Sequence, residues 1–423
     1  MSRLHAAGLL AFLAALGAAS LGDLAAHVPT WLAWLALGSL SLLAALGRGR
    51  PPERTVAIVL LWALLIRLPL LFGTEPTLSD DLYRYVWEGR LVSLGIDPYD
   101  VAPEDPSLAT LAVDSPEHAS VNHPELPAIY PPGAQWVFAV LAATSPSLLL
   151  FRAAMVAIDL ALIAALGALL RGRRRDPRLL ILYAWHPLVA AEVASSGHYE
   201  PLAILPMIAG LIAWDRQRDG ATSWLLWGVA IATKYAGGAV GWFAARELHG
   251  RDQTRRGVFG LAISGLVALA IAAPFLIDGI PPIGSLTTYV EHWGHNGSLH
   301  ALLTPVIGYH PARYVMAALF VGWAGWLTHR GGDPARAFFL LFCGLIVLSP
   351  VVHPWYGLWV IALLPLFPSV PVLVFSVLLP LAYLAWTAQA AGGAWEAPGW
   401  VPWLEYGLPL ALGLGLEAAR RSR

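Results

Sequence analysis

The sequence predicts an all-α fold, a polytopic bundle of transmembrane helices, and three observations carry that expectation. The 423 residues are 57% hydrophobic and only 13% charged, with a mean hydropathy of +0.63, so water cannot be the main solvent of this chain. Apolar stretches near the length that crosses a hydrocarbon core recur from Ala6 to the C-terminus with short polar breaks. No run alternates apolar and polar residues in the manner of strands. The length criterion of about 20 residues per crossing gives about 11–13 spans, some of them half-helices.

Composition also bounds the partners. A net charge of −1 and the lack of a basic tail leave nucleic acid without support, whereas the lipid bilayer is an obligatory partner. The single cysteine, Cys343, lies in an apolar run; it excludes intramolecular disulfides and any CxxC metal site and reads as a small core residue.

In chain order, residues 6–21 follow Arg3 and resemble a signal peptide, with Ala-Ala-Ser near their end, but are read as the first span. Residues 28–47 form the second and end in Arg48-Gly49-Arg50, which the positive-inside rule places in the cytoplasm together with the N-terminus. Further arginines cluster at 171–178, 216–218, 246–256, 330–336 and 420–423, and mark inner loops. By contrast, residues 73–135 hold eleven Asp or Glu and only Arg84 and Arg90. Residues 74–134 are therefore expected to form one large extracytoplasmic loop of a single integral-membrane domain covering residues 1–423. The implied location is a bacterial-type cytoplasmic (inner) membrane.

Fixing these sides makes the parity of crossings a test. Between 135 and 170 two apolar runs are split by Ser145-Pro146-Ser147, yet only one crossing is allowed, so the first run should not span. Between 223 and 245 one crossing fits, yet both flanks are arginine-rich. Two half-helices meeting at Thr233-Lys234-Tyr235-Ala236-Gly237-Gly238 satisfy both; a single tilted span with a mistaken side is the alternative. Lys234 is the chain's only lysine and lies in this apolar segment. It is read either as facing an anionic group in a cavity or as snorkelling to the interface.

Within the acidic loop, Ser79 can cap a helix over residues 80–94 lying on the membrane surface. Helical spacing stacks Asp80, Arg84 and Glu88, with Asp81 beside Arg84 and Tyr85. Two first-turn aspartates can simply complement the helix dipole, or they can supply a general base at the membrane boundary.

Ser-Asp-Asp-x-Tyr-Arg-Tyr-x-Trp-Glu-Gly-Arg, Gly95-Ile96-Asp97-Pro98-Tyr99, Asn122-His123-Pro124-Glu125, Ile129-Tyr130-Pro131-Pro132, Ala232-Thr233-Lys234-Tyr235 and His353-Pro354-Trp355-Tyr356 together resemble the bacterial GT-C glycosyltransferases. The likeness is closest to their polyprenyl-phosphate-mannose-dependent branch and runs through most of the chain. It implies an inverting transfer of mannose or another hexose from a polyprenyl-phosphate-linked donor to an extracytoplasmic glycan or lipid acceptor. Asp81, or Asp80 as the alternative, would take the proton of the acceptor hydroxyl. Lys234, Arg84 and His353 are then the candidates for the donor phosphate. Tyr85, Glu88, Arg90, His123, Tyr130, His198, Glu200 and Tyr356 are the candidates for substrate binding.

His292 and His295 also stand at expected outer ends, and any single histidine there is better explained as an interfacial or core hydrogen-bonding ring. No cofactor is assigned. A divalent metal on Asp80, Asp81 and a histidine is not assigned either, because that spacing is no recognised ligand pattern. A transporter or flippase of a lipid-linked or anionic substrate is the rival reading, since broken helices and an intramembrane lysine suit a substrate path. The absence of an inverted hydropathy repeat argues against it. A scaffold is a second rival, but scaffolds need no converging carboxylates, arginine and lysine.

Overall fold

A computed structural model describes residues 2–47, 51–218, 220–277 and 281–421. The Arg48-Gly49-Arg50 cluster and the last two residues of the terminal arginine cluster lie outside the described residues. Among the described residues the chain is helical, and its β-type pairings are isolated bridges, Gly22 to Thr74 and His295 and Asn296 to Val351.

Five helical stretches are long and apolar enough to cross a membrane: Val28–Leu46, Thr55–Gly73, Leu148–Gly172, Thr254–Leu276 and Val370–Ala390. Shorter apolar helices are Arg3–Ala19, Ala221–Thr233 and Pro334–Leu348. Other apolar runs are divided by proline and glycine, as where Leu299–Ile307 stops at Gly308 before Tyr309–Arg330 begins. On Thr254–Ala272 the side chains of Val258, Phe259, Leu266 and Leu269 are each more than half exposed. A soluble protein rarely leaves so large an apolar face to water; hydrocarbon is its natural solvent. The protein is a multi-pass helical membrane protein.

Both stretches singled out by the parity argument are broken. Pro132–Thr144 has 13 residues, short of a crossing, and is followed by the 25-residue helix Leu148–Gly172. Ala221–Thr233 ends at Lys234, whose backbone is extended (φ −155°, ψ 117°). A 3₁₀ turn over Tyr235–Gly238 follows, and Ala239–His249 resumes the helix.

By their internal contacts the residues form two compact units. One comprises Met1–Glu75, Leu166–Glu192 and Trp293–Arg423. In it Arg3–Ala19 packs on Val28–Ser39 and Thr55–Gly73 through the small side chains Ala11, Ala14, Ala15 and Ala18. Small residues let helix backbones approach where apolar burial alone gives no drive. Arg67, fully buried, donates to the carbonyls of Ala63 and Ala184 (3.0 and 2.9 Å). Glu192 accepts from the Tyr383 hydroxyl at 2.8 Å.

The other unit comprises Pro76–Ala165 and Val193–His292. Glu200–Arg216, Ala221–Thr233 and Thr254–Ala272 pack in succession around Trp214, Trp224 and Trp227, whose ring centroids lie 5.1 to 6.0 Å apart. Helix Asp81–Ser93 lies against Pro132–Thr144. The contact is so close that a Cβ on Gly89 would stand 2.4 Å from the Phe138 carbonyl oxygen, so only glycine fits. The loop beyond the helix folds back on it through Trp87, Leu91, Leu108 and Val121. It is anchored at its far end by Tyr99, Ala128 and Phe275.

Helix Asp81–Ser93 is more enclosed than a surface helix. Leu82, Val86 and Trp87 are fully buried, and so are Arg84 and Glu88 within a few per cent. Its N-cap position is Asp80 rather than Ser79; the Ser79 hydroxyl accepts from the Asp81 amide at 3.3 Å.

Candidate active site

The polar heart of the second unit starts at the first turn of Asp81–Ser93. The amide of Asn122 donates to Asp80 Oδ1 at 2.8 Å and to Asp81 Oδ1 at 3.0 Å, tying both carboxylates to one loop residue. The other oxygen of Asp81, Oδ2, lies 3.5 Å from the Tyr85 hydroxyl and 3.8 Å from His198 Nε2. Asp81 is therefore oriented from several directions while its side chain keeps 20% of its surface exposed. Asp80 meets solvent at its edge, yet partial loss of water raises its carboxyl above the ordinary range, and the adjacent Asp81 charge adds to the rise.

The loop supplying Asn122 is held by Arg84. Its guanidinium donates to Glu88 Oε1 (2.7 Å), to the carbonyls of Asn122 (2.8 Å), His123 (3.1 Å) and Pro127 (2.9 Å), and to that of Leu126. All five donors of the planar fork are thereby engaged. One of the accepting carbonyls belongs to His123, whose φ of +44° lies in the left-handed region, uncommon for a residue with a side chain. Glu88 in turn accepts from Gln135, and burial raises its carboxyl despite the attraction of Arg84. Arg90 serves a similar end, reaching the Asp114 carbonyl (3.1 Å) and Glu117 (3.2 Å). Arg84, Glu88 and Arg90 thus bind the loop to the helix. His123 itself is exposed, 3.4 Å from Glu125.

Beneath Asp81 the rings of Tyr85, Tyr130, Phe138 and Tyr199 pack mainly edge to face, with Tyr85 and Phe138 stacked at 4.8 Å. Pro131, with Pro132 at the first helical position, turns the chain so that Tyr130 enters this floor. Tyr199 links the floor to the broken helix, for the Lys234 ammonium lies 4.7 Å from its ring centroid and pairs with Glu200. Glu200 is fully buried, and its Oε2 has no hydrogen-bond partner among the described residues.

The structure therefore gathers Asp80, Asp81, Tyr85, Tyr130, His198, Glu200 and Lys234 within one unit. His353 and Tyr356 belong to the other unit, where their rings meet edge to face at 5.6 Å. Sequence reasoning passed over Asn122, Tyr199 and Gln135 as site residues. Asn122 was legible in principle as the neighbour of His123, but nothing local signals that it reaches two aspartates some forty positions away. Among the described residues no group of three or more His, Cys, Asp or Glu converges as a metal set.

Residues 6–247 match the family model described as alpha-(1->6)-mannopyranosyltransferase, N-terminal domain. A similar protein is the "Probable alpha-(1->6)-mannopyranosyltransferase" of Mycolicibacterium smegmatis, 25% identical over 396 residues that cover 79% of this chain and 68% of the relative. Another is alpha-(1->6)-mannopyranosyltransferase B of Corynebacterium glutamicum, 24% identical over 346 residues that cover 68% of this chain and 55% of the relative. The chain thus spans little more than half the length of the second. No solved structure matches it.

Proposed function

Because the chain belongs to the alpha-(1->6)-mannopyranosyltransferase family, the match taking in more than half of its residues, we propose that it moves a mannosyl group from a polyprenyl-phosphate-linked donor to a saccharide or glycolipid acceptor. The reaction takes place on the extracytoplasmic side of the membrane, with the N-terminus in the cytoplasm. That sidedness rests on the distribution of arginines and acids along the chain.

Transfer is a single displacement with inversion. Asp81 Oδ2 takes the proton of an acceptor hydroxyl as that oxygen bonds to the anomeric carbon. The bond from that carbon to the phosphate oxygen breaks, and the polyprenyl phosphate departs with the electron pair. Asp81 is favoured over Asp80 because one of its oxygens is fixed by Asn122 while the other faces Tyr85 and His198 inside the unit. Asp80 stands further out and shares the Asn122 amide. The leaving phosphate goes to Lys234. Its amine already holds one anion, Glu200, so a phosphate arriving there exchanges one partner for another. Arg84, with its five donors engaged, is assigned to positioning the Asn122 loop.

The bridging of both aspartates by Asn122 is the observation that carries the reading. Its test is transfer of labelled mannose from a synthetic polyprenyl-phosphate donor in proteoliposomes. Asp81→Asn should lose about two to four orders of magnitude in rate, the range of general-base catalysis, and Asp80→Asn much less. Full transfer by both variants would overturn the assignment.

A further inference from the structure

The unit containing the C-terminal residues holds an aromatic column that the catalytic reading leaves unused. Trp395 stacks on His295 at 4.5 Å and 28°, His295 on His353 at 5.0 Å and 22°, and His353 on Trp355 at 4.4 Å and 1°. Tyr356 stands at right angles to Trp355, 6.1 Å away. All five rings are half-buried, so the column reaches the protein surface. Rings that anchor a helix at the lipid boundary need no such alignment; four nearly parallel rings from three separate segments do.

The backbone beneath the column is pinned. His295 donates to the Pro350 carbonyl at 3.0 Å and accepts from Val352 at 2.8 Å. Asn296 has φ +52°, its carbonyl accepts from the Tyr406 hydroxyl at 2.9 Å, and its amide donates to Glu405 at 2.7 Å. A Cβ on Gly297 would stand 2.9 Å from the Pro350 oxygen, so glycine is required at this crossing.

Three buried polar atoms beside the column, Asn296 Oδ1, Glu405 Oε1 and Trp395 Nε1, have no hydrogen-bond partner among the described residues. Buried orphans of this kind call for a partner that the protein does not supply. We propose that the Trp395–His295–His353–Trp355 column is a binding site for a neutral hexopyranose ring of the acceptor saccharide, separate in role from the aspartates that perform transfer. The C–H face of a pyranose stacks on aromatic rings, and its hydroxyls supply the donors and acceptors that the orphaned atoms lack. An anionic group fits poorly. Burial pushes the His295 imidazole down to about 4, so at physiological pH it is neutral and offers an anion no charge. This site rests on the proposed transfer only in naming its occupant an acceptor; the binding itself can be measured without turnover.

The experiment is isothermal titration of the full-length protein in detergent with a manno-oligosaccharide, and separately with inorganic phosphate. The wild type should bind the saccharide and not the phosphate. Trp355→Ala should weaken saccharide binding about tenfold and Trp355→Phe much less, as expected for the loss and retention of a stacked ring. In the transfer assay Trp355→Ala should raise the acceptor KM and leave kcat and the donor KM near wild type. Unchanged binding by Trp355→Ala, or preferential binding of phosphate, overturns the site. If Trp355→Ala does not give a monodisperse protein, Trp395→Leu carries the same expectation. Should the wild type bind saccharide in a Trp355-dependent way yet transfer nothing, the transfer reading fails and the binding site stands. Should it transfer normally while binding and acceptor KM ignore both tryptophans, the site fails and the transfer reading stands.

Discussion

Asp80 and Asp81 carry the same side chain on adjacent residues, and their surroundings separate them. Asp81 turns an oxygen toward Tyr85 and His198, whereas Asp80 stays at the edge with its carboxyl pushed up by partial burial and then by its neighbour's charge. A carboxyl raised on folding means that the folded chain holds the proton more tightly than the unfolded one. Its contribution to stability is then full below the ordinary value of 3.8 and is lost as pH rises through the raised value. Asp80→Asn keeps an acceptor for Asn122 and removes the titration. Its melting temperature in detergent should therefore gain on the wild type as pH is raised from about 4 to about 7, since the window opens near the unfolded carboxylate value. A gap independent of pH would show that Asp80 carries no such shift. Arg84 illustrates the limit of reading residues from spacing. The four-residue repeat of Asp80, Arg84 and Glu88 correctly put Arg84 beside Glu88. It could not disclose the four carbonyls, thirty-eight to forty-three positions away, that absorb the rest of the guanidinium.

Among the helices, those that form the site are short and interrupted, and their interruptions were legible because they broke a rule. Arginines on both flanks of residues 223–245 argued against a single unbroken crossing, and the structure has the chain extended at Lys234. What the rule could not give was the partner: the Lys234 ammonium meets Glu200, at the start of another helix, and the Tyr199 ring. Lys234→Met keeps the aliphatic stem and removes the charge. The donor KM in the transfer assay should rise about tenfold or more, the worth of a charge-assisted hydrogen bond, with the acceptor KM unchanged. Equal effects on both substrates would make Lys234 a structural cation. The packing of helix Asp81–Ser93 on Pro132–Thr144 yields a prediction of unusual sign. In most helix interiors Gly→Ala stabilises by about 1 kcal/mol. At Gly89 the new methyl would meet the Phe138 carbonyl oxygen at 2.4 Å. Gly89→Ala should therefore lower the melting temperature and reduce transfer together, because the two helices must part and carry Asp81 with them. A stabilised variant would show that this contact is looser than described.

For the molecule as a whole, composition pointed to a membrane protein and the lack of strand-like alternation made it helical, because only helices and closed barrels satisfy their backbone polar groups within lipid. Sidedness is drawn from the contrast between eleven acids and two arginines in residues 73–135 and the arginine-rich loops elsewhere. It matters for the chemistry, since a polyprenyl-phosphate donor and Asp81 must face the same aqueous compartment. Cys343 is the chain's single thiol and is replaced first, as Cys343→Ala, to give a silent background. Val113 is 86% exposed in the acidic loop, and Arg255 lies in an arginine cluster assigned to the cytoplasm. A membrane-impermeant maleimide added to intact cells should label Val113→Cys and reach Arg255→Cys only after permeabilisation. The reverse pattern would turn the protein over in the membrane. Asp81 would then face the cytoplasm, where soluble nucleotide sugars compete as donors, and the lipid-linked donor would lose its physical rationale even if the family reaction were retained.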